Sequence, residues 1–168
     1  RVELGDRSYD VRVGPGILAS AGSLVAAAGA RRGIVIADSA VLPTHAATVS
    51  DSLRHAGVET ATIPVERGEP SKSVTEAARL WEALADAAVD RGTHILAVGG
   101  GVVGDLAGFV AATYARGLPI WQIPTTLVAQ VDSSIGGKTG INLTGGKNLV
   151  GAFWQPRRSE EHTSELQS

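Results

Sequence analysis

Short apolar runs alternate along the chain with alanine-rich segments in which apolar residues recur at helical spacing. Runs of four or five apolar residues bounded by Gly, Pro or Asp predict buried strands, whereas spacings of three and four residues predict amphipathic helices. Strands that alternate with helices are typical of crossover connections in a mostly parallel sheet. The pattern therefore predicts an α/β domain with helices flanking the sheet.

The predicted elements cover the first three quarters of the chain. An opening hairpin is predicted over 2–4 and 9–13, helices over 17–28, 44–56, 73–90 and 105–114, and strands over 34–37, 60–64, 94–98 and 119–123. The helix over 73–90 has the strongest signal, because Ser73 and Glu76 have the spacing of a capping box and Leu80 and Leu84 share one face. Beyond Pro124 the glycine content rises and the pattern assigns no further element.

Composition narrows the class of protein. The 168 residues suit a single domain that can bury a core, and the net charge is −2. Without residues 158–168, which hold one arginine and three glutamates, acidic and basic residues balance at 14 each. Bulk charge therefore suggests neither a nucleic-acid nor a membrane partner. The chain has no apolar leader and no long apolar run, so we expect a cytoplasmic protein, and its lack of cysteine is neutral about the compartment.

A glycine pattern joins a predicted strand to a predicted helix. Gly99, Gly101 and Gly104 form G-x-G-x-x-G at this turn, where the helix N-terminus can hold a pyrophosphate. An ordinary dinucleotide fingerprint has an acidic residue about 20 positions later, where this chain has the uncharged stretch 120–122. The alternative reading is that the glycines only allow the helix to pack tightly on the strand.

The stretch 122–156 has a composition that a core-building segment does not use. Lys138 and Lys147 each follow a glycine pair, and Asp132 is the only acidic residue between Asp105 and the segment 158–168. Glycines let the backbone approach a ligand, and each lysine adds one mobile positive charge. The stretch predicts a small anionic ligand, and Asp132 needs a cation, a hydroxyl or a metal-bound group as its partner. The alternative is that both lysines are solvated surface residues.

Together these motifs resemble the 3-dehydroquinate synthases, NAD- and metal-dependent cyclases of the shikimate pathway that serve aromatic amino acid biosynthesis. The resemblance runs from the N-terminal strands to Pro156. It implies a Rossmann-like NAD-binding domain over 1–156, with the C-terminal domain missing. The implied activity is that of a phosphate lyase acting on 3-deoxy-D-arabino-heptulosonate 7-phosphate. NAD oxidises an alcohol transiently, phosphate is eliminated, the hydride returns, and aldol cyclisation yields 3-dehydroquinate.

The resemblance also implies site residues. The implied NAD contacts are Asp38, Gly68, Glu69, Lys72, Gly101, Val102, Val103, Gly104, Asp105, Thr125, Thr126, Lys138 and Lys147. The implied catalytic residues on the substrate side are Asp132, Lys138, Lys147 and Asn148. This chain departs from the family pattern at Arg67, where an acid is usual, and at Ala40, where a polar residue usually follows Asp38. Asp105 and the two threonines have helix capping as their alternative role.

The family's divalent metal, zinc or cobalt, is expected on one Glu and two His of the missing C-terminal domain. His45, His55 and His94 have no close metal-ligand spacing, so no metal ligand is predicted in this chain. The complete enzyme is expected to be a homodimer, and the truncated chain is expected to be inactive alone.

The last residues read differently from the rest. Residues 158–168, RSEEHTSELQS, resemble the in-frame translation of a sequencing-library adapter. Their polar composition predicts a non-native or disordered tail over 157–168.

Three rival functions stay open at this point. The first is another sugar-phosphate cyclase, such as one that makes an inosose or valiolone ring. The second is an iron-dependent or glycerol-type alcohol dehydrogenase of similar architecture. The third is an inactive NAD-binding fragment without catalysis.

Overall fold

The computed structural model describes residues 1–156 in full and the backbone of residues 158–161. The helices are α1 (Ala21–Ala27), α2 (Ala47–His55), α3 (Val74–Asp86) and α4 (Gly101–Thr113). The strands are β1 (Asp10–Val13), β2 (Arg32–Asp38), β3 (Glu59–Val65), β4 (His94–Gly99), β5 (Ile120–Pro124), β6 (Lys138–Leu143), β7 (Gly146–Phe153) and β8 (Arg158–Glu161). Six strands form one sheet in the order β1-β8-β5-β4-β2-β3, and every pair in it is parallel. The predicted α/β class is confirmed.

The sheet has a switch point between β2 and β4. From β2 the chain moves outward to β3, and it then returns to build β4 and β5 on the other side of β2. The connections leave the carboxyl ends of β2 and β4 in opposite directions, which opens a crevice where ligands bind in sheets of this kind. Asp38 ends β2 and Gly99 ends β4, so both lie at this crevice.

Two apolar layers cover the two faces of the sheet. On one face, Ile34, Ile36 and Ile95 pack with the core residues of α3 and α4. On the other face, the alternate residues, such as Val35 and Leu96, pack with those of α1 and α2. Alternate side chains of a strand point to opposite faces, so central strands buried on both sides need the near-continuous apolar runs seen in the sequence.

The stretch 122–156 contains a hairpin that the sequence pattern did not predict. Strands β6 and β7 pair antiparallel as a separate two-stranded sheet. The hairpin lies against α4 so closely that a Cβ added at Gly108 would stand 2.4 Å from Thr139 Cγ2. Glycine is depleted in strands because it offers no side chain to pack, and this glycine-rich pair gains its support from α4 instead.

Several predicted boundaries shift in the structure. The opening hairpin is reduced to one antiparallel bridge between Val2 and Tyr9. Helix α4 begins at Gly101 rather than at residue 105, and α3 ends at Asp86 rather than at residue 90. The early end of α3 has a local cause, because Ala88 has a φ of 49°, which a right-handed helix does not contain. Ser73 caps α3 as predicted, with its hydroxyl accepting from Glu76 N at 3.2 Å.

The four described residues of the C-terminal segment lie in the main sheet. Arg158–Glu161 forms β8 between β1 and β5, whereas the composition predicts a non-native or disordered tail here. Parallel pairing uses main-chain N–H and C=O groups that every residue here carries, so polar side chains do not prevent it. Residue 157 and residues 162–168 lie outside the described residues, and the adapter origin of the segment stays a prediction.

Within the described residues, no helix has the length and apolarity that a membrane span requires.

The close crossing of α1 and α2 yields a stability prediction. A Cβ on Gly22 would stand 1.9 Å from the main-chain oxygen of Ser52, and a backbone atom cannot move aside as a side chain can. We expect Gly22→Ala to lower the free energy of unfolding by about 3 kcal/mol, measured by urea denaturation. Gly14→Ala is the matched control, because a Cβ on Gly14 meets open space. Equal midpoints for the two variants would contradict the close approach.

Candidate functional site

The first turn of α4 faces the crevice at the switch point. Gly100 precedes this helix and caps it without a side chain, and the first helical hydrogen bond runs from Gly104 N to Gly100 O at 3.1 Å. The amides of residues 101–103 therefore have no partner within the helix. Amides at a helix N-terminus, with the positive end of the helix dipole, form a binding site for a phosphate group.

The glycines of this turn also serve packing. A Cβ on Gly101 would stand 3.0 Å from Ser133 Oγ, and a Cβ on Gly104 would stand 2.9 Å from Gln122 Oε1. Gln122 in turn donates from Nε2 to the carbonyl oxygen of Gly104 at 3.2 Å. The packing alternative therefore has direct support at Gly104, where helix and strand are in contact. At Gly101 the space that a Cβ would fill lies between the open helix end and the 129–133 turn.

Three further implied cofactor residues lie at the same edge of the sheet. Asp38 accepts a hydrogen bond from Ala40 N at 2.8 Å, and its Cβ is 3.2 Å from the position that a Cβ on Gly99 would take. Thr125 follows β5 and its amide donates to Gly99 O at 2.9 Å. Thr126 Oγ1 accepts from Ala129 N at 3.3 Å, so Thr126 has the capping role that was its alternative.

A buried lysine lies at the centre of the candidate site. The residue Lys72 is only 5% exposed, and its Nζ forms an ion pair with the carboxylate of Asp105 on α4. The same Nζ donates to Asn148 Oδ1 at 2.5 Å. A buried ammonium group is stable only when its charge is paired and its protons are bonded. The contact therefore joins three parts of the chain: the 69–73 turn, α4 and β7.

The pKa values of two carboxyl groups near Lys72, those of Asp105 and Glu69, shift in opposite directions. Burial raises the pKa of Asp105, while the hydrogen bond and charge of Lys72 act in the opposite direction. The hydrogen bond from Asn142 lowers the pKa of Glu69, and the charges of Lys147 and Lys72 add to this effect. Glu69 is therefore held as a carboxylate, whereas the environment of Asp105 disfavours its charge.

A hydrogen bond from Asn142 connects the turn at Glu69 to the hairpin. Asn142 Nδ2 donates to Glu69 Oε1 at 2.8 Å, and Lys147 Nζ lies 3.6 Å from the same oxygen. Gly68, which begins this turn, has a φ of 104°, a conformation that glycine adopts without strain. The implied cofactor residues 68, 69 and 72 thus form one short turn that contacts the hairpin.

Three of the four implied substrate residues, Asp132, Lys138 and Asn148, line one cavity. Lys138 Nζ donates to Asp132 Oδ1 at 3.2 Å, and both side chains are exposed. Of the partners that the sequence allows Asp132, namely a cation, a hydroxyl or a metal-bound group, the structure shows a cation. A cavity of about 480 Å³ lies beside this pair. Its lining includes Asp105, Asp132, Ser133, Lys138, Asn148 and Phe153.

The two glycine-flanked lysines occupy different places. Lys138 lines the 480 Å³ cavity, whereas Lys147 lines a second cavity of about 530 Å³ together with Glu69 and Lys72. The contacts of Lys72 with Asp105 and Asn148 lie between the two cavities, because those two partners line the first. Lys138 is thus placed to meet a ligand in the first cavity, and Lys147 is paired with Glu69 beside the second.

Comparison with known proteins identifies the family to which this arrangement belongs. A family model described as 3-dehydroquinate synthase N-terminal matches residues 62–168, which is more than half of the chain. The chain belongs to the 3-dehydroquinate synthase family. The resemblance inferred from the glycine and lysine motifs is confirmed.

Individual relatives show how much of the family's length is present. The chain is 51% identical over 157 residues to the 3-dehydroquinate synthase of Symbiobacterium thermophilum, a match that covers 92% of this chain and 44% of the relative. It is 46% identical over 169 residues to that of Desulforamulus reducens, covering 47% of the relative. The chain therefore spans less than half the length of these curated relatives.

A solved structure supports the same fold. The 2-deoxy-scyllo-inosose synthase solved with carbaglucose-6-phosphate, NAD+ and Co2+ aligns with a TM-score of 0.84 and 30% identity. The alignment covers 90% of this chain and 41% of that one. The shared architecture is the parallel sheet with flanking helices described above.

Two residues of the candidate site escaped sequence reasoning. Asn142 bridges Glu69 and the hairpin, and Ser133 lines the first cavity beside Gly101. Asn142 had a detectable signal, because asparagine is depleted in strands and here follows the apolar Ile141 within the motif stretch. Ser133 had no comparable signal, since its role depends on which turn the chain brings against α4.

Among the described residues, no group of three or more His, Cys, Asp or Glu side chains is arranged to hold a metal ion.

The buried pair gives a pH-dependent stability prediction. The positive charge of Lys72 lowers the pKa of Asp105, whereas burial raises it. Lys72→Met removes that charge, so the pKa of Asp105 in the folded state rises further. A carboxyl with a raised folded-state pKa stabilises the fold while protonated, and this stability is lost as pH rises through that pKa. We expect Lys72→Met to lower the free energy of unfolding by about 3 kcal/mol at pH 8 and by clearly less at pH 5, measured in urea.

The control for this prediction is Asp105→Asn in the Lys72→Met background. Because asparagine cannot ionise, the double variant should lose the same free energy of unfolding, relative to the parent, at pH 5 and at pH 8. An equal loss of stability at both pH values in Lys72→Met itself would contradict the account of the buried carboxyl.

Proposed function

We propose that this chain is the NAD-binding, N-terminal part of a 3-dehydroquinate synthase. The complete enzyme converts 3-deoxy-D-arabino-heptulosonate 7-phosphate to 3-dehydroquinate and phosphate. One observation carries the proposal: the open first turn of α4 lies beside a cavity lined by Asp132, Lys138 and Asn148, at the switch point of a parallel sheet. Family membership supplies the reaction, and this geometry supplies the place for it.

The cofactor diphosphate fits the N-terminus of α4. The amides of residues 101–103 have no helical partner, and Gly101 leaves the approach to them clear of a Cβ. Asp38 ends β2 next to Gly99, where a carboxylate can accept hydrogen bonds from ribose hydroxyls. The residues present therefore suit a dinucleotide laid across the switch point, and in the relative solved with NAD+ the same fold is shared.

The first cavity suits the substrate. Lys138 supplies a positive charge for a carboxylate or phosphate, and Asp132 keeps its ammonium group directed along the cavity wall. Asn148 offers a polar side chain from the opposite strand, anchored on Lys72. When bound, NAD supplies reversible hydride transfer, and the task of these side chains is to orient one substrate through several chemical steps.

The remaining parts of the proposal concern the complete protein. A divalent ion, zinc or cobalt, would be held outside the described residues, because these contain no cluster of metal-ligating side chains. The complete enzyme is proposed to be a homodimer in the cytoplasm. Sedimentation of the complete protein tests its oligomeric state independently of activity.

A second candidate is a cyclase that makes a different ring. It is favoured by the alignment at 30% identity with 2-deoxy-scyllo-inosose synthase and by a similar one with the 2-epi-5-epi-valiolone synthase of Streptomyces hygroscopicus, which has a TM-score of 0.82. The identity of about half to 3-dehydroquinate synthases makes the first candidate the stronger one. Phosphate release from the heptulosonate phosphate but not from glucose 6-phosphate separates the two.

The two lysines yield a prediction in the complete enzyme. We expect Lys138→Ala to lower kcat/KM at least about 100-fold, because a substrate anion loses the cation that the described lining of the first cavity offers, at a cost of about 3 kcal/mol. Lys147→Ala should have a smaller effect, since Lys147 is 73% exposed and is paired with Glu69.

The matched control is Arg54→Ala, which removes an exposed cation from α2 on the far face of the sheet. Phosphate release and circular dichroism melts are measured for all three variants. Parent-like rates for Lys138→Ala, with melts unchanged, would remove Lys138 from the site.

A further prediction concerns residues 1–168 alone. We expect this chain to bind NAD weakly and to release no phosphate from the heptulosonate substrate, because the first cavity is open to solvent and Phe153 on its wall is 80% exposed. A chromogenic phosphate assay with added zinc or cobalt tests this, with an intact 3-dehydroquinate synthase as positive control. Metal-dependent turnover by the chain alone would show that its own residues complete the site.

A further inference from the structure

Asn142 forms three hydrogen bonds around the buried lysine, with Glu69, Lys72 and Asn148. Its Nδ2 donates to Glu69 Oε1 at 2.8 Å, and its own amide donates to Lys72 O at 2.9 Å. Its Oδ1 accepts from Asn148 N at 2.8 Å. The side chain thus binds the 69–72 turn through Nδ2 and strand β7 through Oδ1.

The bond to Asn148 matters because Asn148 has an unfavourable backbone conformation. Its φ is 55°, in the left-handed region, which costs a residue with a side chain roughly 1–2 kcal/mol. Asparagine tolerates this region better than most residues do, but the surrounding structure must still hold it there. The carbonyl oxygen of the Asn142 side chain is the group that binds the Asn148 amide.

The left-handed conformation determines where the Asn148 side chain points. Asn148 Oδ1 accepts from Lys72 Nζ at 2.5 Å, and Asn148 also lines the first cavity. A more extended backbone at this position would direct the side chain away, since φ sets the direction of the Cα–Cβ bond. Lys72 would then keep Asp105 as its partner and lose the second acceptor that its buried ammonium requires.

We propose that Asn142 is a positioning residue, which holds Asn148 in its left-handed conformation and thereby fixes the orientation of Lys72 between the two cavities. Asn142 is absent from the described lining of the first cavity and lines the second, beside Glu69 and Lys72. The effect of Asn142 on cofactor affinity rests on the proposed function. Its consequence for Lys72 rests only on the contacts given above.

The alternative is that Asn142 merely stabilises the hairpin turn. A role of that kind would lower the melting temperature of a variant without changing Lys72 selectively. The two roles can be separated because the chain has only three lysines, and the other two, Lys138 and Lys147, are exposed. Each lysine therefore reports on its own surroundings when the folded chain meets an amine-reactive reagent.

The test is competitive acetylation of folded residues 1–168 with an N-hydroxysuccinimide ester of acetic acid, with the three lysines followed by mass spectrometry. In the parent chain, Lys72 should react far more slowly than Lys138 and Lys147. Asn142→Ala should raise the rate at Lys72 about tenfold, the factor that corresponds to loss of one hydrogen bond of about 1.4 kcal/mol. The rates at the two exposed lysines should not change.

Further variants test whether Asn142 acts on Lys72 through Asn148. Asn148→Ala should raise the rate at Lys72 by a similar factor, and Asn142→Ala combined with Asn148→Ala should raise it no further, because residues that act through one contact are not additive. Asn142→Asp combined with Glu69→Gln keeps an oxygen acceptor for the Asn148 amide without placing two carboxylates against each other, and it should retain the slow rate of the parent. Thr144→Ala, an exposed change in the same hairpin turn, is the control and should also match the parent.

Cofactor affinity is measured separately in the complete protein. The dissociation constant for NADH, from quenching of tryptophan fluorescence, should rise about tenfold in Asn142→Ala and stay at the parent value in Arg54→Ala, an exposed change on the far face of the sheet. A parent protein that binds no NADH would refute the proposed function and leave the labelling result to decide the role of Asn142.

Several outcomes would overturn the positioning role. A parent-like Lys72 rate in Asn142→Ala would do so, as would a double variant whose effect is the product of the two single effects. Should Asn142→Ala fail to fold by circular dichroism, the double variant Asn142→Asp with Glu69→Gln decides: slow labelling at Lys72 supports the role, and fast labelling in a folded chain of this double variant refutes it.

Discussion

The ammonium group of Lys72 is buried, and the organisation of the candidate site follows from the need to pair its charge. An isolated charge in this position would be prohibitively unfavourable, so Asp105 and Asn148 must both reach it. One acceptor comes from α4 and the other from β7. The requirement therefore fixes the hairpin against the helix whose first turn opens on the crevice. A site assembled from three distant segments becomes a single unit through one side chain.

The fold supplies the framework on which this pairing acts. The parallel order β5-β4-β2-β3 brings the carboxyl ends of β2 and β4 together at a switch point, and α4 starts directly after β4. The hairpin β6–β7 then covers the side of α4, with glycines where the backbones approach most closely. The sheet thus offers the proposed dinucleotide site, and the hairpin adds polar groups that line the adjoining cavity.

Much of the fold could be predicted from the sequence because its signals are local. The apolar runs of β2 and β4 and the capping residue Ser73 each appear within a few positions of one another. The hairpin could not be predicted in the same way, because its strands are rich in glycine and gain their support from α4, which is distant in sequence. The separation of Lys138 from Lys147 also depends on the hairpin, since strand pairing and not spacing decides which cavity each lysine lines. Family resemblance named a set of site residues, several of which line the two cavities, but this set did not contain Asn142, whose contacts appear only in the structure.

The central claim is that the open end of α4 receives the diphosphate of NAD. The most direct measurement is a titration of 15N-labelled chain with NAD, followed by amide chemical shifts, a method that detects weak binding as well as tight binding. The account predicts that the largest shifts fall on the amides of Gly101, Val102 and Val103, with smaller ones near Asp38. Saturable shifts confined to the 144–147 turn or to the groove between α1 and α2, with the amides of α4 unmoved, would contradict it.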